Sequence, residues 1–151
     1  MNTLFTSNTL AVVYGRKSVS IQRMLDFDYV CARRPSVAAI VDRESGAPEK
    51  VFYGKTEFLI PAYRTLCDVQ EKHLDADVLV NFASLRSAST VVQEAMKRKY
   101  RVIATIAEGI RLASAFLIPP YAVGGCVSSG ETLTVSMREL LVPGRRERST
   151  L

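Results

Sequence analysis

Four short apolar runs set the rhythm of the chain, and helical spacing follows each of the first three. Thr9-Leu10-Ala11-Val12-Val13-Tyr14 has the composition of a buried strand and stops at Gly15. After Arg16-Lys17-Ser18, the spacing of Val19, Ile21, Met24, Leu25 and Phe27 predicts the apolar side of a short helix, with Ser18 or Ser20 as its N-cap. Val37 to Val41 is a second strand, with small and β-branched residues suited to burial on both faces. Asp42 to Lys50, with Gly46 and Pro48, is a turn region, and Val51-Phe52-Tyr53 and Phe58-Leu59-Ile60 are short strands around Gly54. Pro61 is expected to open the next helix, which runs to about His73 with Ala62, Leu66 and Val69 inward. Val78 to Phe82 is the next strand. The helix after it carries Thr90 and Gln93 at capping-box spacing and turns Val91, Val92 and Met96 inward. Val102 to Ile106 is the fourth run.

Strand and helix alternating in this way predict an α/β fold: a Rossmann-like open parallel sheet with helices on both faces. After Ile110 the pattern degrades. Leu112 to Ile118 continues in helical fashion, but Pro119-Pro120, Gly124-Gly125 and Ser128-Ser129-Gly130 cut the region into short pieces. Leu133 to Val142 is one element whose type the pattern leaves open, and Gly144 to Leu151 is expected to be a mobile end. The expected organisation is a domain over residues 1–110 and a divergent, irregular tail over 111–151, either genuine or the product of an incorrect gene model.

Composition narrows the function classes. A chain of 151 residues with 48% hydrophobic and 23% charged residues suits one soluble globular domain rather than a disordered segment. The net charge of +5 favours anionic partners without choosing among them, and part of it sits in the tail at Arg145, Arg146 and Arg148. No basic block alternates with aromatic residues, so no nucleic-acid partner is expected. Cys31, Cys67 and Cys126 are odd in number and far apart, and His73 is the single histidine, so neither a structural zinc site nor any other metal is expected. Reduced thiols and a start without a basic and apolar signal point to the cytoplasm. The most apolar region, Ile110 to Val127, is interrupted by Arg111 and Pro119-Pro120. A span needs about 20 apolar residues, so no membrane association is expected.

The candidate chemistry lies where strands end. A nicotinamide-type loop needs G-x-G-x-x-G after the first strand, and the chain offers only Gly15, which argues against a dinucleotide. Arg16 and Lys17 could hold a phosphate as side-chain cations, or simply be solvated. After the third run, Phe82-Ala83-Ser84-Leu85-Arg86-Ser87 places two hydroxyls and a permanent cation at a helix start, whose free amides favour an anion. The plainer alternative is that Ser87 caps the helix while Arg86 lies in solvent. Glu108, beside Gly109, directly follows the fourth run, and either faces a crevice or compensates the dipole of the next helix. Asp26 and Asp28 form a D-x-D pair better explained as structural than as a metal site. His73 and Asp75 lie at a polar helix end, and no spacing supports a catalytic triad there.

Asn81-Phe82-Ala83-Ser84-Leu85-Arg86-Ser87, Ile106-Ala107-Glu108-Gly109, Met24-Leu25-Asp26-Phe27-Asp28-Tyr29-Val30-Cys31 and Pro35-Ser36-Val37-Ala38-Ala39 together resemble the coenzyme A-binding domain of the ATP citrate lyase family, in order from about Thr3 to Ile110. The resemblance implies coenzyme A contacts at Phe82, Ser84, Arg86, Ser87 and Ile106, and an active-site role for Glu108. It implies as partners coenzyme A and the remaining domains or subunits of such an enzyme. The family reaction phosphorylates a histidine with ATP, forms citryl-CoA and cleaves it to acetyl-CoA and oxaloacetate. The phosphorylated histidine, the ATP-grasp part, the citrate pocket and the citrate synthase-like domain are absent here. ATP and Mg2+ would therefore enter only through those missing parts, and the chain alone is expected to be inactive. The family continues past Glu-Gly with a proline, a helix and a G-P-x-x-x-G-G stretch, whereas here Ile110-Arg111 follows and Pro120 to Gly125 gives a loose echo. Glu44 stands in a loop where relatives can place an aromatic near the coenzyme. A stand-alone, non-catalytic coenzyme A-binding or regulatory module is the rival from another class, and a nicotinamide enzyme is a distant third.

Overall fold

A computed structural model gives the structure over residues 5–98, 100–106, 124–128 and 131–137, the last two stretches as backbone. The elements run β1 (Leu10–Tyr14), α1 (Ser18–Val30), β2 (Val37–Val41), β3 (Glu49–Tyr53), β4 (Thr56–Ile60), β5 (Ala62–Tyr63), α2 (Leu66–Lys72), β6 (Ala76–Asn81), α3 (Leu85–Met96), β7 (Val102–Ile106), β8 (Gly124–Ser128) and β9 (Glu131–Met137). One sheet has the order β5-β2-β1-β6-β7-β9-β8. Its first five strands are parallel, whereas β9 pairs antiparallel with β7 and β8 antiparallel with β9. The α/β expectation therefore holds. Within the span expected to be irregular, two stretches join the sheet as strands.

Side-chain alternation in the central strands builds a separate core on each face. Val12 and Tyr14 of β1 and Leu79 of β6 pack with Leu66 and Val69 of α2 and Ala88, Val91 and Ala95 of α3. On the other face Val13 and Ile40 meet Ile21 and Leu25 of α1 and Val51 and Ile60 of the β3–β4 hairpin. Each fully buried aliphatic side chain contributes about 1.5–3 kcal/mol relative to exposure, so both faces matter to stability. Gly54, in the hairpin turn at φ +62°, leaves no room for a Cβ against the ring of Tyr29. That ring meets Tyr53 edge-on at 5.3 Å, which ties the hairpin to α1. No described helix is long and apolar enough to cross a membrane.

Several local expectations change. Pro61 opens no helix; Ala62–Tyr63 adds to β2 as β5 instead, and α2 begins at Leu66, capped by Thr65 Oγ1 accepting from the Asp68 amide at 3.1 Å. Neither Ser18 nor Ser20 caps α1, whose N-cap is Lys17 without a side-chain bond. On α1, Val19 and Phe27 face solvent, and Asp28 is buried in their stead. Its Oδ2 accepts from the Ser36 amide at 2.8 Å, which joins the end of α1 to the start of β2. Thr90 and Gln93 lie inside α3, which starts at Leu85, so their spacing marks no cap. The expectations for Leu112 to Ile118 and for the chain end lie outside the described residues.

Candidate functional site

The carboxyl ends of the parallel strands form a rim where open α/β sheets bind ligands, and the candidates Phe82, Ser84, Arg86, Ser87 and Ile106 fall there. Gly15, the residue after β1, has φ +96°, and a Cβ added there would stand 3.4 Å from the Phe82 carbonyl oxygen. The loops after β1 and β6 thus approach closely, and the Phe82 amide donates to the Tyr14 carbonyl at 2.9 Å.

Arg16 is fully committed. Its Nε donates to Asp42 Oδ2 at 2.8 Å, its Nη1 to Glu49, and its Nη2 to the Ala47 carbonyl at 2.6 Å. Ser18 Oγ donates to the other oxygen of Glu49. The hydrogen bond to Asp42 raises the Arg16 pKa further, and the same bond holds Asp42 below the usual carboxylate range. This guanidinium fastens the loop between β2 and β3 onto the loop after β1. Of the two cations there that could hold a phosphate or simply be solvated, Arg16 is taken up by the scaffold and Lys17 is exposed.

The loop after β6 is built the other way. Asn81, fully buried at the strand end, accepts from the Ala83 amide at 2.9 Å and donates to the Ala88 carbonyl at 3.2 Å and to Thr105 Oγ1 at 3.4 Å. That amide therefore shapes the turn into α3 and couples it to β7. Ser84 is the N-cap of α3, with extended backbone, but no side chain caps the helix. The hydroxyls of Ser84 and Ser87 lie 3.0 Å apart and bond each other, and Ser87 Oγ also reaches the Ser84 carbonyl at 3.3 Å. The Ser87 and Ala88 amides bond the Ser84 carbonyl at 2.9 and 2.8 Å, which leaves the Leu85 and Arg86 amides at the helix start without a side-chain acceptor. Arg86 is exposed and makes no ion pair with any described residue. A cation, two hydroxyls and free amides in one turn can take an anion such as a phosphate.

Phe82 is partly buried against the core of β1 and α1, so it supports the loop as well as lining it. Ile106 closes β7, 39% exposed; the register pairs Asn81 with Thr105, which brings Ile106 beside the residues after β6. Glu108 lies outside the described residues. The structure thus gathers Phe82, Ser84, Arg86, Ser87 and Ile106 at one rim. Asn81 and Thr105 were missed as positioning residues; a buried asparagine ending an apolar strand was the available signal. Asp42 and Glu49, which neutralise Arg16, left no local signal, because they lie 26 and 33 residues away.

No group of histidine, cysteine, aspartate and glutamate residues among those described could hold a metal. Asp26 Oδ1 accepts from Gln22, while Asp28 is structural, and the His73 ring meets the Tyr63 hydroxyl at 3.1 Å. A groove of about 420 Å³ lined by Ser20, Arg23, Met24, Phe27, Asp28, Arg33 and Ser36 reaches the start of β2, at the opposite rim.

No family model matches the chain. It is 50% identical over 111 residues to the ATP-citrate synthase of Homo sapiens, covering 72% of this chain and 10% of that protein. It is 40% identical over 148 residues to the probable ATP-citrate synthase subunit 1 of Schizosaccharomyces pombe, covering 85% of this chain and 24% of that protein. The fold matches the structure of ATP citrate lyase from Methanothrix soehngenii in complex with citrate and coenzyme A, with a TM-score of 0.71 and 42% identity over 82% of this chain and 22% of that one. The chain therefore spans between a tenth and a quarter of the length of these relatives.

Proposed function

Related as it is to one segment of the ATP-citrate synthases, the chain, we propose, supplies coenzyme A-binding surface to the cleavage of citrate to acetyl-CoA and oxaloacetate and has no complete activity of its own. The observation that carries this is the uncapped start of α3 with Arg86 unpaired among the described residues, in a fold 42% identical to a lyase solved with coenzyme A. The α3 amides and Arg86 take the pyrophosphate, Ser84 and Ser87 turn their hydroxyls to it, and Phe82 and Ile106 give apolar contact. Glu108 acts on the reacting groups, and the rest of the enzyme supplies ATP, Mg2+ and the phosphorylated histidine.

Titration calorimetry with coenzyme A and NAD tests the reading. Coenzyme A is expected to bind more tightly, and equal or reversed affinity overturns it. Purified chain given citrate, ATP and coenzyme A is expected to make no acetyl-CoA. For Glu108, the Glu-to-Gln change in a full-length relative carrying the same Ile-Ala-Glu-Gly sequence is expected to lower turnover about 100- to 10,000-fold with coenzyme A affinity retained; a loss below about tenfold assigns it a structural role.

One observation favours a second reading, a stand-alone coenzyme A-binding module. β9 runs along β7 in register from Val102–Met137 to Ile106–Leu133, and β8 extends it, which gives the sheet two strands beyond the parallel set. Binding of coenzyme A at full affinity without any added enzyme part favours this module; affinity that rises on adding the missing parts favours the first.

A further inference from the structure

The outer side of α1 carries apolar surface that plays no part in the site above. A helix packed on a sheet ordinarily turns its apolar side inward and its polar side to water. Ile21 and Leu25 of α1 do face inward, yet Val19, Phe27 and Val30 are 68%, 60% and 82% exposed. Val19, Arg23, Asp26 and Val30, all exposed, recur at intervals of four, three and four residues. That spacing lines one side of a helix and suits a seam between two helices. The two charges in the middle of this seam are unanswered. Arg23 makes no ion pair with a described residue. Asp26 Oδ1 accepts from Gln22 Nε2 at 2.8 Å, and neither Asp26 oxygen pairs with a described cation.

The order of the four residues decides what fits them. Read from either end, the seam runs valine, charge, charge, valine, and its two charges are opposite. A second α1 laid antiparallel over the first, about a two-fold axis between Met24 and Leu25, puts Val19 opposite Val30 and Arg23 opposite Asp26. Each contact then occurs twice, as an isologous interface requires. A parallel pairing in register would set like charge against like, so electrostatics selects the antiparallel one. Phe27 flanks the seam, and the two-fold axis brings the rings of both copies to the same side of it. We propose that this side of α1 is a homodimer interface, through which two copies of the chain pair by Val19, Arg23, Asp26 and Val30. α1 and α3 pack on opposite faces of the sheet, so the inference stands apart from the coenzyme A reading.

Sedimentation velocity of the whole 151-residue chain over a range of concentrations tests it, with a reductant present because Cys31 is exposed. The seam is only about 20 Å long, so the wild type is expected to pass from monomer to dimer in the micromolar range. Arg23→Asp and Asp26→Arg each set like charges against each other twice, and each is expected to raise the dimer dissociation constant about tenfold or more. An equimolar mixture of these two variants restores both pairs and is expected to dimerise about as well as the wild type, as is the chain carrying both changes. Val30→Asn, at the most exposed of the three apolar positions, is expected to weaken the dimer too and keeps the test open if a charge-reversed chain misfolds. A wild type that stays monomeric overturns the proposal and gives the face to a different occupant, such as another part of the enzyme. A dimer that the single variants leave unchanged, or single variants that stay apart when mixed, overturns the pairing through α1.

Discussion

Arg16 and Arg86 leave the same rim of one sheet, each just after a buried strand, yet their surroundings are opposite. Arg16 meets Asp42, Glu49 and the Ala47 carbonyl; Arg86 meets no described carboxylate and stands over an uncapped helix start. Where loop carboxylates already surround a cation, it holds the scaffold; where the fold leaves cation and amides unanswered, charge is available to a ligand. A permanent cation near a strand end is therefore no guide by itself to phosphate binding.

The largest effect that can break this comparison is on stability. Arg16→Ala leaves Asp42 and Glu49 largely buried without their cation and is expected to cost roughly 2–3 kcal/mol in urea unfolding, while the folded fraction keeps its coenzyme A affinity. A stability change below about 0.5 kcal/mol would show Arg16 to be an ordinary surface charge. Next comes Arg86→Ala, which is expected to weaken coenzyme A binding by about 1.5–3 kcal/mol with stability unchanged within about 0.5 kcal/mol. Unchanged binding would leave no difference in function between the two arginines.

Ser84→Asp sharpens the contrast through opposite signs. An aspartate at the N-cap accepts from first-turn amides and compensates the dipole, so melting is expected to indicate a gain of about 0.5–1 kcal/mol. The same charge repels phosphate, so coenzyme A affinity is expected to fall. Gains in both quantities would mean that the amides do not face the ligand. The smallest effect over the working range is that of pH. Arg16 lowers the Asp42 pKa in the folded state, so the contribution of the pair is fully present above the unfolded carboxylate value of about 3.9 and is lost as pH falls through the lower folded value. The stability difference between wild type and Asp42→Asn is expected to stay level from about pH 8 to 5 and to shrink only below about pH 4; a decline already between pH 7 and 5 would assign the linkage to another group.

The central strands were legible because burial on both faces demands continuous apolar runs, as Val37–Val41 and Val102–Ile106 provide. Element starts were less so, since spacing alone does not separate a cap from a residue within a helix: Thr90 and Gln93 fit a capping box yet sit inside α3. Pro61 suited the first turn of a helix equally well, but β2 needed a neighbour, and the Ile40 amide bonds the Pro61 carbonyl at 3.0 Å. The burial of Asp28 in place of Phe27 follows from a partner eight residues on, the Ser36 amide. The candidate residues at the start of α3 stand together in the sequence and are legible as local wording, whereas the commitment of Arg16 depends on loops brought together by the sheet order.

The shortness of β5 bears on how the molecule behaves in a crowded solution. A long, flat outer strand offers a row of unmet backbone groups on which another chain can grow, the first step toward edge-to-edge aggregation. Here the outermost strand on that side has two residues. The residue before it, Pro61, has no amide hydrogen to donate, and the residue after it is the charged Arg64. The protein thus carries a built-in stop on one flank of its sheet, so strand-by-strand growth from that flank finds almost nothing to copy.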